Sequence, residues 1–214
     1  QQYDQFRLVG MDHFNAMFED SRTKSWWRQS TGEAIAGPSI HKFLSEYPSQ
    51  QMTLSQWITI HPQTLIMQPD TLFQVEYDSL SNYENGTRKG KLTRRDSQSW
   101  EKKSWIIGLE LNGMSKAYDW NELQAKQIIQ DDLNNIPIAL VLSDDKNSFA
   151  SYILNTKNQL LSIKQDTLLL GQRKYLFSGK SLNDSVPNLI AIKCYQEYWH
   201  SWKTFHPKTL KFAE

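Results

Sequence analysis

The chain is poor in the residues that announce a specialised chemistry. Cysteine occurs once, as Cys194, in 214 residues. That rules out an intrachain disulfide framework and a cysteine-only zinc site. Charge of one sign is not in excess either, with 24 Lys and Arg against 23 Asp and Glu. A dedicated nucleic-acid binder carries a clear basic surplus, so this balance argues against nucleic acid as a partner. No apolar run approaches the roughly 20 residues that a membrane-spanning helix needs. A phosphate loop, a dinucleotide fingerprint and a His-Glu-x-x-His metal motif are all missing. Ser25 and Ser30 lack a nucleophile elbow or a triad order around them. The chain opens Gln-Gln-Tyr-Asp, without a methionine or a signal peptide. Such a start is expected of a trimmed polypeptide whose targeting segment has been removed.

What is present is a sentence written twice. Residues 57–65 read Trp-Ile-Thr-Ile-His-Pro-Gln-Thr-Leu, and residues 202–210 read Trp-Lys-Thr-Phe-His-Pro-Lys-Thr-Leu. Trp57, Thr59, His61, Pro62, Thr64 and Leu65 recur as Trp202, Thr204, His206, Pro207, Thr209 and Leu210. A repeat of this kind governs how the whole fold is read. It extends upstream, where Thr31-Gly-Glu-Ala-Ile35 has a partner in Ser178-Gly-Lys-Ser-Leu182 at similar distance from the tryptophan. The expectation is one compact domain, 1–214, of two repeat halves at about 1–68 and 137–214. A loop and hairpin region, 69–136, joins them.

Local signals give an α+β, β-rich fold, mostly antiparallel, with one main short helix per half. Thr53 and Gln56 form a capping box for a helix over 53–61, which Pro62 ends. Asn112-Gly113 between Trp105–Leu111 and Met114–Tyr118 predicts a hairpin with a type I′ turn. Asp119 or Asn121 caps a short helix through Gln127. Strands are expected at Pro137–Leu142, Phe149–Leu154, Leu160–Ile163, Thr167–Leu170 and Lys174–Phe177. Tyr195–Phe205 reads as the second helix, because Tyr195, Tyr198, Trp199, Trp202 and Phe205 fall on one stripe. The basic run from Arg88 to Lys103 reads as a solvated loop.

Several groups could carry chemistry. Met11, His13 and Met17 would share one face of a strand and would suit a soft ion such as Cu(I). The plainer reading is a core strand with a satisfied histidine. Glu19, Asp20 and Glu33 could pair for glycoside hydrolysis, or simply sit at turns. His61 and His206 close their helices, where a histidine donates to the last carbonyls; repetition favours this structural role over catalysis. His200 falls on the polar side of its helix. Adjacent Trp26 and Trp27 point to opposite faces of a strand. The outward ring, beside Arg28, Gln29 and Glu33, could stack on a sugar or a peptide.

Three strings carry a family resemblance: Phe6-Arg-Leu-Val-Gly-Met-Asp-His-Phe-Asn-Ala-Met-Phe-Glu-Asp20, Ser25-Trp-Trp-Arg-Gln-Ser-Thr-Gly-Glu-Ala-Ile-Ala-Gly-Pro38 and Tyr198-Trp-His-Ser-Trp-Lys-Thr-Phe-His-Pro207. The chain resembles the bacterial domain of unknown function 3179 over essentially its whole length, Gly113–Leu123 included. The resemblance implies an exported, extracytoplasmic protein and no established activity. Family members usually carry an upstream Cys-x-x-Cys segment that this chain lacks, so a redox or metal role needing it is in doubt. The second half has also lost the family's Thr-Gly-Ser-x-Trp and Gly-Pro turns, reading Asp166-Thr-Leu-Leu-Leu-Gly-Gln-Arg and Gly179-Lys-Ser-Leu. The first half keeps the motif. The functional surface is therefore expected at Trp26, Trp27, Arg28, Gln29 and Glu33. The expected function is a binding or interaction module for a small molecule, glycan or peptide, requiring no cofactor. A metal-binding or redox-linked protein and a glycan-active hydrolase are the alternatives.

Overall fold

The computed structural model describes residues 5–47, 49–77 and 94–213. The chain begins as a four-stranded antiparallel sheet: β1 (Phe6–Asp12), β2 (Asn15–Asp20), β3 (Trp26–Arg28) and β4 (Ala34–Ala36), paired in that order. His13 and Phe14 make the first turn with left-handed φ of 49° and 69°. They stand where Asn-Gly would be usual in a tight hairpin. Helix α1 (Leu54–Ile60) follows, and Thr53 Oγ1 accepts from Gln56 N at its start. The other half of the expected capping box is supplied from afar, because the Thr53 N–H donates to Ser148 Oγ at 2.9 Å. A 3₁₀ turn covers Thr71–Glu76. The basic residues from Arg88 to Lys91 lie outside the described residues. The described end of that run is not free, since Arg95 lies over the Trp105 ring and Lys103 over Phe14.

The second part is larger and better filled. Strands β5 (Trp105–Leu111) and β6 (Met114–Asp119) form the expected hairpin around Asn112 and Gly113. Asp119 caps α2 (Trp120–Lys126) by accepting from Glu122 N. Then come β7 (Ile128–Leu133), β8 (Ile136–Leu142), β9 (Phe149–Ile153), β10 (Leu161–Lys164), β11 (Thr167–Leu170), β12 (Arg173–Leu176) and β13 (Ile190–Ile192). The chain ends with β14 (Cys194–Tyr198), α3 (Trp199–Phe205) and β15 (Leu210–Lys211). Three sheets result, ordered β14-β5-β6-β15, β13-β9-β8-β7 and β10-β11-β12. Every described strand pair is antiparallel except β15 with β6.

The expected second helix needs correction. The stretch Tyr195–Phe205 is not one helix. Cys194–Tyr198 is a strand paired residue by residue with Trp105–Leu109, and only Trp199–Phe205 is helical. Aromatic residues suit a half-buried pleat, and the free edge of β5 offered a ladder that local propensity could not foresee. The repeated tryptophans also differ in burial: Trp202 is 1% exposed, whereas Trp57 is half-buried. Residues 105–136 are no mere connection. Ile107, Leu109, Tyr118, Trp120, Leu123, Ile129 and Leu133 join Ile138, Leu140, Leu142 and Phe149 in the largest buried cluster. The first sheet contributes only Trp27 and Ala34 to the buried apolar residues.

The two nonamers nevertheless adopt the same local geometry. Trp57 Nε1 donates to Thr64 Oγ1 and Trp202 Nε1 to Thr209 Oγ1, each at 2.8 Å. The N–H groups of His61 and His206 donate to the Trp57 and Trp202 carbonyls at 2.7 and 2.8 Å. Upstream, Gly32 N donates to Arg28 O while Gly32 O accepts from Leu44 N. Gly179 does the same with Leu176 O and Leu189 N. Leu44 and Leu189 stand at the same distance along the chain from Trp57 and Trp202.

Candidate ligand-binding cleft

Sheet β1–β4 meets β14 and α3 along a cleft of about 1040 Å³. One wall holds Phe18, Trp27, Arg28, Gln29 and Gly32; the other holds Tyr195, Gln196, Glu197, Phe205 and His206, with Glu110 from β5. Residues 44–46, with Ser49 and Gln51, close one side. A second concavity, of about 700 Å³, shares Asn15, Gln29, Gln51, Gln196 and Glu197 with it. A large, partly apolar concavity where two layers meet is the ordinary form of a ligand site.

The residues singled out in the sequence divide around this cleft. Trp27 is buried, and its Nε1 donates to Asp20 Oδ2 at 2.8 Å. Trp26 is 39% exposed, its Nε1 bound to Glu19 Oε2, and it does not line the cleft. Arg28 does line it, held by Asp12 at 2.7 Å and Glu33 at 3.1 Å and lying over the Phe205 ring. Glu33 is not part of the lining and pairs with Arg28 and His41. Gln29 is exposed; its Oε1 accepts from Ala16 N. So Trp27, Arg28 and Gln29 come together at the cleft, and Trp26 and Glu33 stand behind it.

The three candidate acids of the first half are occupied elsewhere. Glu19 is held below the ordinary glutamate range by hydrogen bonds from Arg7 and Trp26. Burial opposes ionisation of Asp20, but hydrogen bonds from the Thr23 hydroxyl and N–H and from Trp27 outweigh it. Its carboxyl therefore sits well below the usual carboxylate range.

The Met11, His13 and Met17 group does not converge on one face. Met11 pairs with Ala16 and Met17 with Gly10, so the two methionines belong to adjacent pairs whose side chains leave opposite faces. His13 sits in the turn, bound to Asp12 and edge-on to Phe205. Among the described residues, no three His, Cys, Asp or Glu side chains stand close enough together to hold a metal ion. His61 and His206 lie against their own tryptophans, with ring centroids 4.2 and 3.6 Å apart. His206 also lines the cleft, with Nε2 3.4 Å from Glu110.

Sequence reasoning missed the far wall. Tyr195 and Glu197 were assigned to a helix, where their side chains would not have faced Trp27. Burial pushes Glu197 above the ordinary glutamate range, against the hydrogen bond it accepts from Ser201 at 3.0 Å. Glu46 is held low by Lys193 and then by the Tyr195 hydroxyl, which both donate to it. Burial, and then Glu46, raises Tyr195 above the ordinary phenol range. The model of the family described as protein of unknown function (DUF3179) matches residues 6–209. The chain belongs to that family. No curated protein and no solved structure matches it. In this DUF3179 chain the family strings at Phe6–Asp20 and Ser25–Pro38 build the near wall, and the string ending at Pro207 builds part of the far one. No helix among the described residues is long and apolar enough to cross a membrane.

Proposed function

We propose that this DUF3179 chain is an extracytoplasmic binding module whose cleft takes an uncharged polar ligand with an apolar face, a glycan or a peptide. The observation that carries this is the state of the lining. Its ionic groups are largely spent on one another: Arg28 on Asp12 and Glu33, Glu46 on Lys193, and His206 near Glu110. Apart from Glu197 and Lys208, what is left is mostly amides and rings. Asn15, Gln29, Gln51 and Gln196 offer donors and acceptors, and Tyr195, Phe205 and the Trp27 edge offer stacking surface. Such a lining recognises hydroxyl and amide groups without demanding charge. The extracytoplasmic placement is carried over from what the family resemblance implies. Isothermal titration of the chain against a panel of neutral oligosaccharides and short peptides tests the reading. One class binds, and Gln29→Ala with Gln196→Ala weakens it at least tenfold; a panel in which nothing binds would count against it.

Glu197 favours one second reading. A carboxyl whose ionisation burial opposes, in a cleft that also holds Glu110, is the kind of group an acid catalyst of glycoside hydrolysis uses. Glu197→Gln would then abolish hydrolysis of the bound oligosaccharide and leave its binding intact.

The two nonamers also support a duplicated architecture. The same donors meet the same acceptors around Gly32 and Gly179, and around Trp57 and Trp202. On this reading the cleft lies near the seam between the repeats.

A further inference from the structure

The equivalence of α1 and α3 leaves one of them bare. In the second repeat, Trp202 packs on β5 at Gly108, so closely that an added Cβ there would come within 2.4 Å of the indole. The strand before α3 pairs with β5, and the strand after it, β15, runs parallel to β6. Phe212 stacks on Tyr118 of β6 at 5.3 Å. Helix α3 is thus gripped by one hairpin on three counts: the strand before it, its tryptophan and the strand after it.

Around α1 no strand among the described residues pairs with the segment before it or the segment after it, and its tryptophan is only half-buried. Residues 49–53 and 62–70 form no strand. Leu54, at the position of the buried Trp199, is 54% exposed. Met67, at the position of Phe212, is 94% exposed, and Leu65 is 95% exposed. Ile58 adds another exposed apolar side chain to the same short helix. An apolar patch of this kind marks an interaction site. The template for its occupant is within the same molecule, because the internal bonds of the α1 nonamer match those of a nonamer that already has its hairpin.

We infer that α1 is the docking face for a β-hairpin of the β5–β6 kind, with a glycine facing Trp57 as Gly108 faces Trp202. Docking would pair one hairpin strand with residues 49–53 and the other with residues 65–66. It would supply ladder partners to a backbone that now has none in any strand. The glycine is required because a side chain there would collide with the indole, as it would at Gly108. The inference rests on the equivalence of the two nonamers and not on the cleft's having a ligand.

The test fuses the chain's own hairpin, residues 105–119, ahead of residue 1 through a flexible Gly/Ser linker, which keeps the two at high effective concentration. Hydrogen exchange at residues 49–66 and acrylamide quenching of the tryptophans are read in three proteins: the 214-residue chain, the fusion, and a fusion whose added hairpin carries Val at the Gly108 position. Exchange at 49–66 slows at least tenfold in the glycine fusion and stays fast in the valine one. Leu54→Lys, at the position of the buried Trp199, removes the protection and leaves the fold of residues 105–212 unchanged. Equal exchange in all three proteins overturns the inference. So does equal protection by the valine hairpin. Concentration-dependent dimerisation of the 214-residue chain that Leu54→Lys abolishes would give the face to a second copy, and would overturn it as well.

Discussion

Gln51 Nε2 donates to Gln196 Oε1 at 3.3 Å, and each of the two stands six residues ahead of the tryptophan of its nonamer. The contact lies in the lining of both concavities.

The two tryptophans should differ in what they are worth. Trp202→Ala empties a fully enclosed position and should cost about 3–5 kcal/mol. Trp57 is half-buried, so Trp57→Ala should cost clearly less. Urea unfolding of both variants checks this; equal losses would mean that α1 is covered in solution.

Gly108 should be intolerant of even one methyl. Its added carbon would meet a ring that is itself enclosed and cannot retreat. Gly108→Ala should cost at the upper end of the roughly 1–3 kcal/mol of overpacked cores. Gly113→Ala meets nothing within 4 Å and carries only the left-handed strain of its φ of +76°, about 1 kcal/mol. Paired unfolding curves decide the order, and the reverse order would contradict the packing of α3 on β5.

Asp20 should matter only when ionised. Its folded pKa lies below the ordinary value of 3.8, so its stabilisation is complete above that value and is lost as the pH falls through the folded one. Asp20→Asn turns one acceptor into an NH₂ facing the Thr23 hydroxyl and the Trp27 indole, donor against donor. At neutral pH the variant should be less stable by about 1–3 kcal/mol. Denaturant midpoints from pH 7 to pH 2 should draw together as the pH falls below 3.8 without meeting by pH 2; a gap independent of pH would show that the charge is irrelevant.

Cys194 should behave as an inert thiol. Burial pushes it up to about 12, against hydrogen bonds shared with Ser151. The thiolate is the reactive form, so iodoacetamide at pH 8 should label the native chain far more slowly than the urea-unfolded chain. Equal rates would reopen a redox role for this residue.

Some of this was legible in the residues and some was not. Asn112-Gly113 makes its hairpin turn, Thr53 accepts from Gln56 N and Asp119 from Glu122 N, while the Gln56 side-chain half of the capping box is replaced by Ser148. The repeated Trp and His-Pro positions foretold matching geometry because every bond involved lies within a few residues. What escaped was set by distant partners. Cys194–Tyr198 is a strand because β5 is there to pair with it. Strand β7, Ile-Ile-Gln-Asp-Asp-Leu, was unread because its alternation is broken and its start is a left-handed Gln127. Of the five residues expected at the functional surface, Trp27, Arg28 and Gln29 line the cleft and Trp26 and Glu33 do not. The far wall was not foreseen, because it needs β14 and α3 to fold back across the first sheet.

The side-chain amide and indole NMR signals of the labelled chain test the binding cleft most directly. Titration with the best oligosaccharide or peptide of the panel should shift the amides of Asn15, Gln29, Gln51 and Gln196 and the indole of Trp27 together, at one saturating concentration. The exposed Trp26 indole, which lies outside the lining, should stay put. Shifts centred on Trp26 and Glu33, or none at the four amides, would contradict the assignment of the cleft as the binding site.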